Sequence, residues 1–172
     1  MAGKYGKGFT LVELLIVVSI LGIFGALAYP QFEGYVQQAK EAAAKDNLRV
    51  LRNAIGLYAA QHDGINPGYP NNIVSLGASV YNLDLQLLYC TDYYGRVADR
   101  RSADYPYGPY LPNIPKNPFA ENDADLITVL NYGEDFPANA DGNSGWYYHA
   151  STGTVKLNWP GTDSKGISYY NY

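Results

Sequence analysis

Cysteine and histidine are nearly missing from this chain. Its 172 residues include one cysteine, Cys90, and two histidines, His62 and His149. A disulfide within the chain is therefore excluded, and so is a metal site of clustered cysteines. Cys90 reads as a lone buried thiol or as the partner of a thiol on another chain. The histidines lack metal-ligand spacing: His62 stands at the end of a helical pattern and His149 in a strand pattern. Positive charge is also scarce. Twelve Lys and Arg against 16 Asp and Glu give a net charge of −4 with no basic stripe, so nucleic acid is not an expected partner. There is no nucleophile elbow, phosphate loop, His-Glu-x-x-His pair or persuasive pair of carboxylates. The serines and aspartates fall in turns, and the chain is not expected to be an enzyme.

What is abundant is apolar length at the N-terminus. From Phe9 to Tyr29 the only polar side chains are Thr10, Glu13 and Ser19. As a helix this run would be about 30 Å long, enough to cross the hydrocarbon of a bilayer. Lys4 and Lys7 precede it, which places the N-terminus in the cytoplasm and the remainder outside. A secretory signal peptide is cut after its apolar part. Here the nearest small-x-small run, Ala26-Leu27-Ala28, is followed by Tyr29-Pro30, a poor place for that cut. Glu13 costs about 2.5–3.5 kcal/mol in the apolar zone unless it finds a partner; the alternatives are snorkelling or protonation. Gly22 and Gly25 allow helices to approach closely, and Pro30 predicts a kink or a simple bend around residues 26–30.

Residues 31–62 read as one helix. Phe32, Val36, Ala39 and Ala43 begin an apolar stripe that Leu48, Leu51, Ile55 and Tyr58 continue, with Gln37, Lys40, Glu41, Lys45, Arg49 and Arg52 on the polar face. The later half is expected to pack on a sheet and the earlier half on neighbouring subunits. Gly64 and Asn66-Pro67-Gly68 supply the stop and a turn. Leu83–Tyr89 fits a short helix or a strand. Five prolines between Tyr105 and Phe119 exclude regular helix and predict a rigid extended crossing of the surface. Gly145–Ala150 and Thr154–Asn158 around Ser151-Thr152-Gly153 form a strand hairpin, and Ile127–Leu130 adds a third strand. Helix first and antiparallel strands after predict an α+β fold. The 18 tyrosines cluster in these loops and strands, where they provide rigid area with a polar tip.

Lys7-Gly8-Phe9-Thr10-Leu11-Val12-Glu13 and the apolar run to Pro30 resemble the signal of type IV pilins and type II secretion pseudopilins. The resemblance implies a leader, residues 1–8, cut between Gly8 and Phe9 by a prepilin peptidase, with methylation of the new Phe9 amine. Loss of Lys4 and Lys7 would take the net charge from −4 to about −6 before the new termini are counted. Residues 9–30 would be the transmembrane and assembly helix. Residues 31–172 would be a pilin-like head, with its long helix packed by the C-terminal half on a small antiparallel sheet with long loops. Glu13 would receive the Phe9 amine of a neighbouring subunit displaced along the assembly axis, and the segment at Pro30 would loosen in the filament.

Residues 48–70, Gly108–Leu111 and Pro115–Phe119 are similar to segments of protein G-type pseudopilins. Those proteins commonly bind calcium near a Tyr-Ser-Leu-Gly-Ala-Asp-like run, where this chain has Gly-Trp-Tyr-Tyr. Asp141 and Asn143, with Asp135, are the oxygen ligands a calcium ion would use here, beside the reading of an ordinary polar turn; no other cofactor is expected. The resemblance implies a structural subunit of a secretion pseudopilus, or else of a surface pilus, or a minor tip protein acting as a binding module. It would be held in the bacterial inner membrane with the head in the periplasm, then pass into a periplasmic or extracellular filament. Implied partners are copies of itself, the peptidase, an inner-membrane assembly platform, other minor pilins or pseudopilins, and lipid before assembly.

Overall fold

The computed structural model describes residues 9–172, apart from the side chains of residues 27–31. The expected leader, with Lys4, Lys7 and Gly8, lies outside the described residues. The chain divides into two compact units between Ala39 and Lys40.

Helix α1 (Leu11–Gln61) begins in the first unit and ends in the second. From Leu11 to Ala26 its side chains are exposed and, apart from Glu13 and Ser19, apolar, including Leu14, Ile16 and Phe24. A helix with that surface needs lipid or other helices around it. Among the described residues no helix is long and apolar enough to cross a membrane; the expected span 9–30 runs into residues 27–31, whose side chains are not described. The backbone is helical through position 30. Phe32 and Val36 are exposed.

In the second unit α1 buries Ala44, Leu48, Leu51, Ile55 and Tyr58, the helical spacing expected of a core face. Ala44, Leu48, Leu51 and Ile55 join one cluster with Leu83 and Leu87, with Trp146 and Tyr148, and with Val155 and Leu157. The stripe continues one step further to His62, buried at the helix end and stacked on Tyr58 at 3.8 Å between ring centroids. Burial lowers the His62 pKa below its ordinary value. Glu41 departs from expectation: it is buried instead of lying on the polar face.

The segment left open between helix and strand is helix α2 (Val80–Leu88). Ser79 caps it by accepting a hydrogen bond from the Asn82 amide, and Leu83 and Leu87 face the core one turn apart. Strands β1 (Cys90–Thr91) and β2 (Val97–Ala98) form a short antiparallel pair, with Cys90 buried as a free thiol. The proline-rich stretch crosses as a loop, pinned by buried Leu111, Ile114 and Phe119.

The larger sheet has the order β3 (Ile127–Leu130), β4 (Trp146–His149), β5 (Thr154–Leu157). The β4–β5 hairpin is antiparallel, pairing Trp146 with Leu157 and Tyr148 with Val155. The fold is α+β, as expected, but β3 pairs with β4 in parallel, Ile127 opposite Trp146. Residues 131–145 are long enough to carry the chain back for that pairing. Strand β4 reads Trp-Tyr-Tyr-His without polar alternation because both faces are covered. Trp146 and Tyr148 face the core, while Tyr147 packs edge-on against Tyr170.

The C-terminal stretch is strapped to α1. Glu41 accepts hydrogen bonds from the Ser164 amide and hydroxyl, both at 3.0 Å, and from the Tyr169 hydroxyl at 3.2 Å. Arg52 donates to the carbonyls of Val155 and Tyr172. Lys45 lies 3.6 Å from the buried Asp163 carboxylate. Burial alone would raise the Asp163 pKa, but the amides of Ile167 and Lys165, the Tyr172 hydroxyl and Lys45 outweigh it and hold the carboxyl below its ordinary value. A carboxylate of this kind binds its proton more weakly folded than unfolded. Its contribution is complete above the unfolded value of about 3.9 and is lost as pH falls through the lower folded value. Urea unfolding at pH 7 and at about pH 3 should therefore show the wild type losing more stability than Asp163→Asn; equal losses would contradict this account.

Candidate functional site

The N-terminal end of α1 holds two of the predicted assembly residues. Phe9 is exposed and extends ahead of the helix. Glu13 is in the first turn, where the partial positive charge of the helix end favours a carboxylate. Its Oε2 accepts from the Thr10 amide and from the Thr10 hydroxyl, both at 2.8 Å. The Glu13 amide in turn donates to Thr10 Oγ1 at 3.2 Å. This is the reciprocal capping box of a Thr-x-x-Glu sequence. Thr10-Leu11-Val12-Glu13 carries that signature openly, yet a reading centred on the cost of a membrane carboxylate passes over it.

The box changes the chemistry of Glu13 in a specific way. Both bonds from Thr10 go to Oε2, and Oε1 takes none among the described residues. One oxygen shapes the start of the helix. Around it the exposed side chains of Phe9, Leu11, Val12 and Leu14 are apolar, so a charge pair made here would be shielded from water once a second helix covered it. Gly8, on the other side of the expected cut, lies outside the described residues. Pro30 lies within the helical backbone, and its side chain is likewise not described.

In the loop expected to hold calcium, N–H groups converge on the Asp141 carboxylate. Asp141 and Asn143 are adjacent, but the Asp141 carboxylate accepts the Asn143 amide at 3.0 Å, the Asn143 side-chain amide at 3.0 Å and the Asn158 side-chain amide at 2.7 Å. These N–H donors hold the Asp141 pKa below the ordinary carboxylate value, the Asn143 amide foremost. Asn158 Oδ1 accepts the amides of Asp141 and Gly142, which fixes its orientation. Asp135 is exposed and makes no hydrogen bond to this group. Among the described residues no group of three or more His, Cys, Asp or Glu side chains could hold a metal ion. The geometry is that of an Asx turn hydrogen-bonded to Asn158, just after β5.

A family model described as the prokaryotic N-terminal methylation motif matches residues 4–29. The chain is 42% identical over 57 residues to the type IV major pilin protein PilA of Myxococcus xanthus, covering 33% of this chain and 26% of that protein. It is 36% identical over 80 residues to the type II secretion system core protein G of Pseudomonas aeruginosa, covering 46% of this chain and 54% of that one. With core protein G of Klebsiella pneumoniae the identity is 26% over 128 residues, 74% of this chain and 79% of that protein. The first two matches thus span about half or less of the relatives' own length. No solved structure matches the chain.

Proposed function

Starting from a chain that bears the prokaryotic N-terminal methylation motif, with type IV pilins and type II secretion proteins among its relatives, we propose a structural filament subunit. It is made as a precursor held in the inner membrane by its apolar helix, with the head in the periplasm. A prepilin peptidase cuts after Gly8 and methylates Phe9. The processed helix then leaves the lipid and becomes the core of a filament, with Glu13 of one subunit pairing with the Phe9 amine of another. Gly22 and Gly25, beside which an added Cβ would meet nothing in the isolated chain, leave room for neighbouring helices. Pro30 gives the helix a weak point where it can extend.

The single observation that carries the reading is the motif match at residues 4–29 coinciding with a largely apolar, exposed helix from Leu11 onward. No catalytic role is assigned, since the relatives are named as pilins and secretion-system proteins. Within the filament class the secretion pseudopilus is preferred, because the likeness to the Klebsiella pneumoniae secretion protein extends over 74% of this chain. The pilin likeness covers 33%. A surface pilin is the second reading.

Mass spectrometry of the mature protein should find an N-methylated Phe9 at its start. An intact Met1, or a start near Tyr29, would overturn the processing scheme. Overexpression followed by electron microscopy separates the subunit roles: long filaments are expected of a major subunit, and their absence would point to an accessory or tip role.

A further inference from the structure

The turn between β1 and β2 and the segment 103–107 enclose a surface cleft of about 460 Å³ that the filament reading leaves unused. We propose that this cleft binds a short stretch of neutral polysaccharide, one or two hexopyranose rings stacked on tyrosine. Its ligand-facing groups are Tyr93, Tyr94, Tyr105, Tyr107 and Asp104.

The floor is built before any ligand arrives. Asp92 is buried, and its carboxylate accepts the amides of Tyr94 at 3.0 Å and Arg96 at 2.9 Å, and the Arg96 side chain at 2.6 Å. Its backbone carbonyl is held by His62 at 2.9 Å. Tyr107 is tied to Thr91 through both backbone hydrogen bonds, and its ring meets the His62 ring at 5.3 Å. On this fixed floor Tyr93 and Tyr94 remain 51% and 62% exposed, at right angles to each other. The guanidinium of Arg96 lies over the Tyr94 ring, 5.7 Å from its centre, and backs it on that side.

The polar groups decide the ligand class. Among the described residues the hydroxyls of these four tyrosines and the Asp104 carboxylate make no hydrogen bond to protein. They offer donors and acceptors beside an aromatic face, the pairing that suits the C–H face and hydroxyl rim of a sugar. The one cation, Arg96, is neutralised by Asp92, which disfavours phosphate or acidic ligands. A proline-rich peptide could also lie on tyrosines, but it would leave the carboxylate and most of the hydroxyls without partners.

Isothermal titration and saturation-transfer NMR of the full-length protein in a sugar-free detergent test this. The probes are β-1,4-linked hexamers of glucose and of N-acetylglucosamine. At least one should bind, with saturation reaching tyrosine rings. Tyr94→Ala should weaken it by about tenfold or more, and Asp104→Asn, which removes no packing, should weaken it several-fold. Both variants should keep the wild-type unfolding midpoint, and Tyr132→Ala, an exposed tyrosine outside the cleft, should bind as the wild type does. The proposal fails if neither probe binds at about 10 mM, if Tyr94→Ala and Asp104→Asn both bind normally, or if a proline decamer competes better than both sugars. Binding here does not depend on assembly, so a failure leaves the filament reading untouched, and loss of filaments would leave this cleft intact.

Discussion

Glu13→Ala is expected to lower the filament-incorporated fraction at least about tenfold while the precursor still enters the membrane, because removing a carboxylate from the apolar zone relieves a cost of about 2.5–3.5 kcal/mol. Assembly loses the same group's attraction for an incoming amine, and every 1.4 kcal/mol of such attraction is about tenfold in equilibrium. The structure adds a second role that this substitution also removes, the cap on Thr10. Glu13→Gln separates the two. Its amide oxygen can still accept from the Thr10 amide and hydroxyl, but it carries no charge. Assembly should fail for Gln as it does for Ala, measured by immunoblot of sheared filaments against the membrane fraction. If Gln assembled normally and Ala did not, Glu13 would act as a helix cap and the amine pairing would be wrong.

Gly145→Ala should unfold or severely loosen the head. A Cβ at this position would collide with the carbonyl oxygen of Ala124. That carbonyl cannot swing away, because it accepts the Asn117 amide at 2.7 Å. Gly145 cannot move either: its amide donates to Asp123 and Leu126, and its carbonyl accepts from Asn158 and from the Asn117 side chain. The next residue is the fully buried Trp146, whose indole N–H is bonded to Pro115 at 2.8 Å. With every neighbour pinned, the cost should be at least about 3 kcal/mol, a large part of the roughly 5–15 kcal/mol that holds a domain together. Gly56→Ala is the control. It is exposed on α1 with nothing near the added Cβ, and should stabilise the head by up to about 1 kcal/mol. Denaturant midpoints measure both, and a Gly145→Ala midpoint within error of the wild type would refute the packing argument.

Local patterns in the chain announced much of this. Leu48, Leu51, Ile55 and Tyr58 revealed the core face because helical spacing repeats within a few residues. The β4–β5 hairpin was legible for the same reason, its turn and strands being neighbours in sequence. Glu41 was misread, since its spacing suits a polar face and its partners, Ser164 and Tyr169, lie more than a hundred residues away. The parallel pairing of β3 escaped because strand direction depends on where residues 131–145 lead the chain. The bond from Asn158 to Asp141 was not legible either, since the two residues lie 17 positions apart.

By itself, then, the order of residues carries the class: the methylation motif matched over residues 4–29, with its lysines, a small residue before Phe9, one carboxylate and a long apolar run, is local along the chain. Tertiary structure decided what the head offers. It tied Asp141 to Asn158, strapped the C-terminal tyrosines to α1, and brought Tyr93–Tyr94 and Tyr105–Tyr107 to one cleft. Those outcomes depend on which distant groups satisfy each buried hydrogen bond, and spacing along the chain does not encode that.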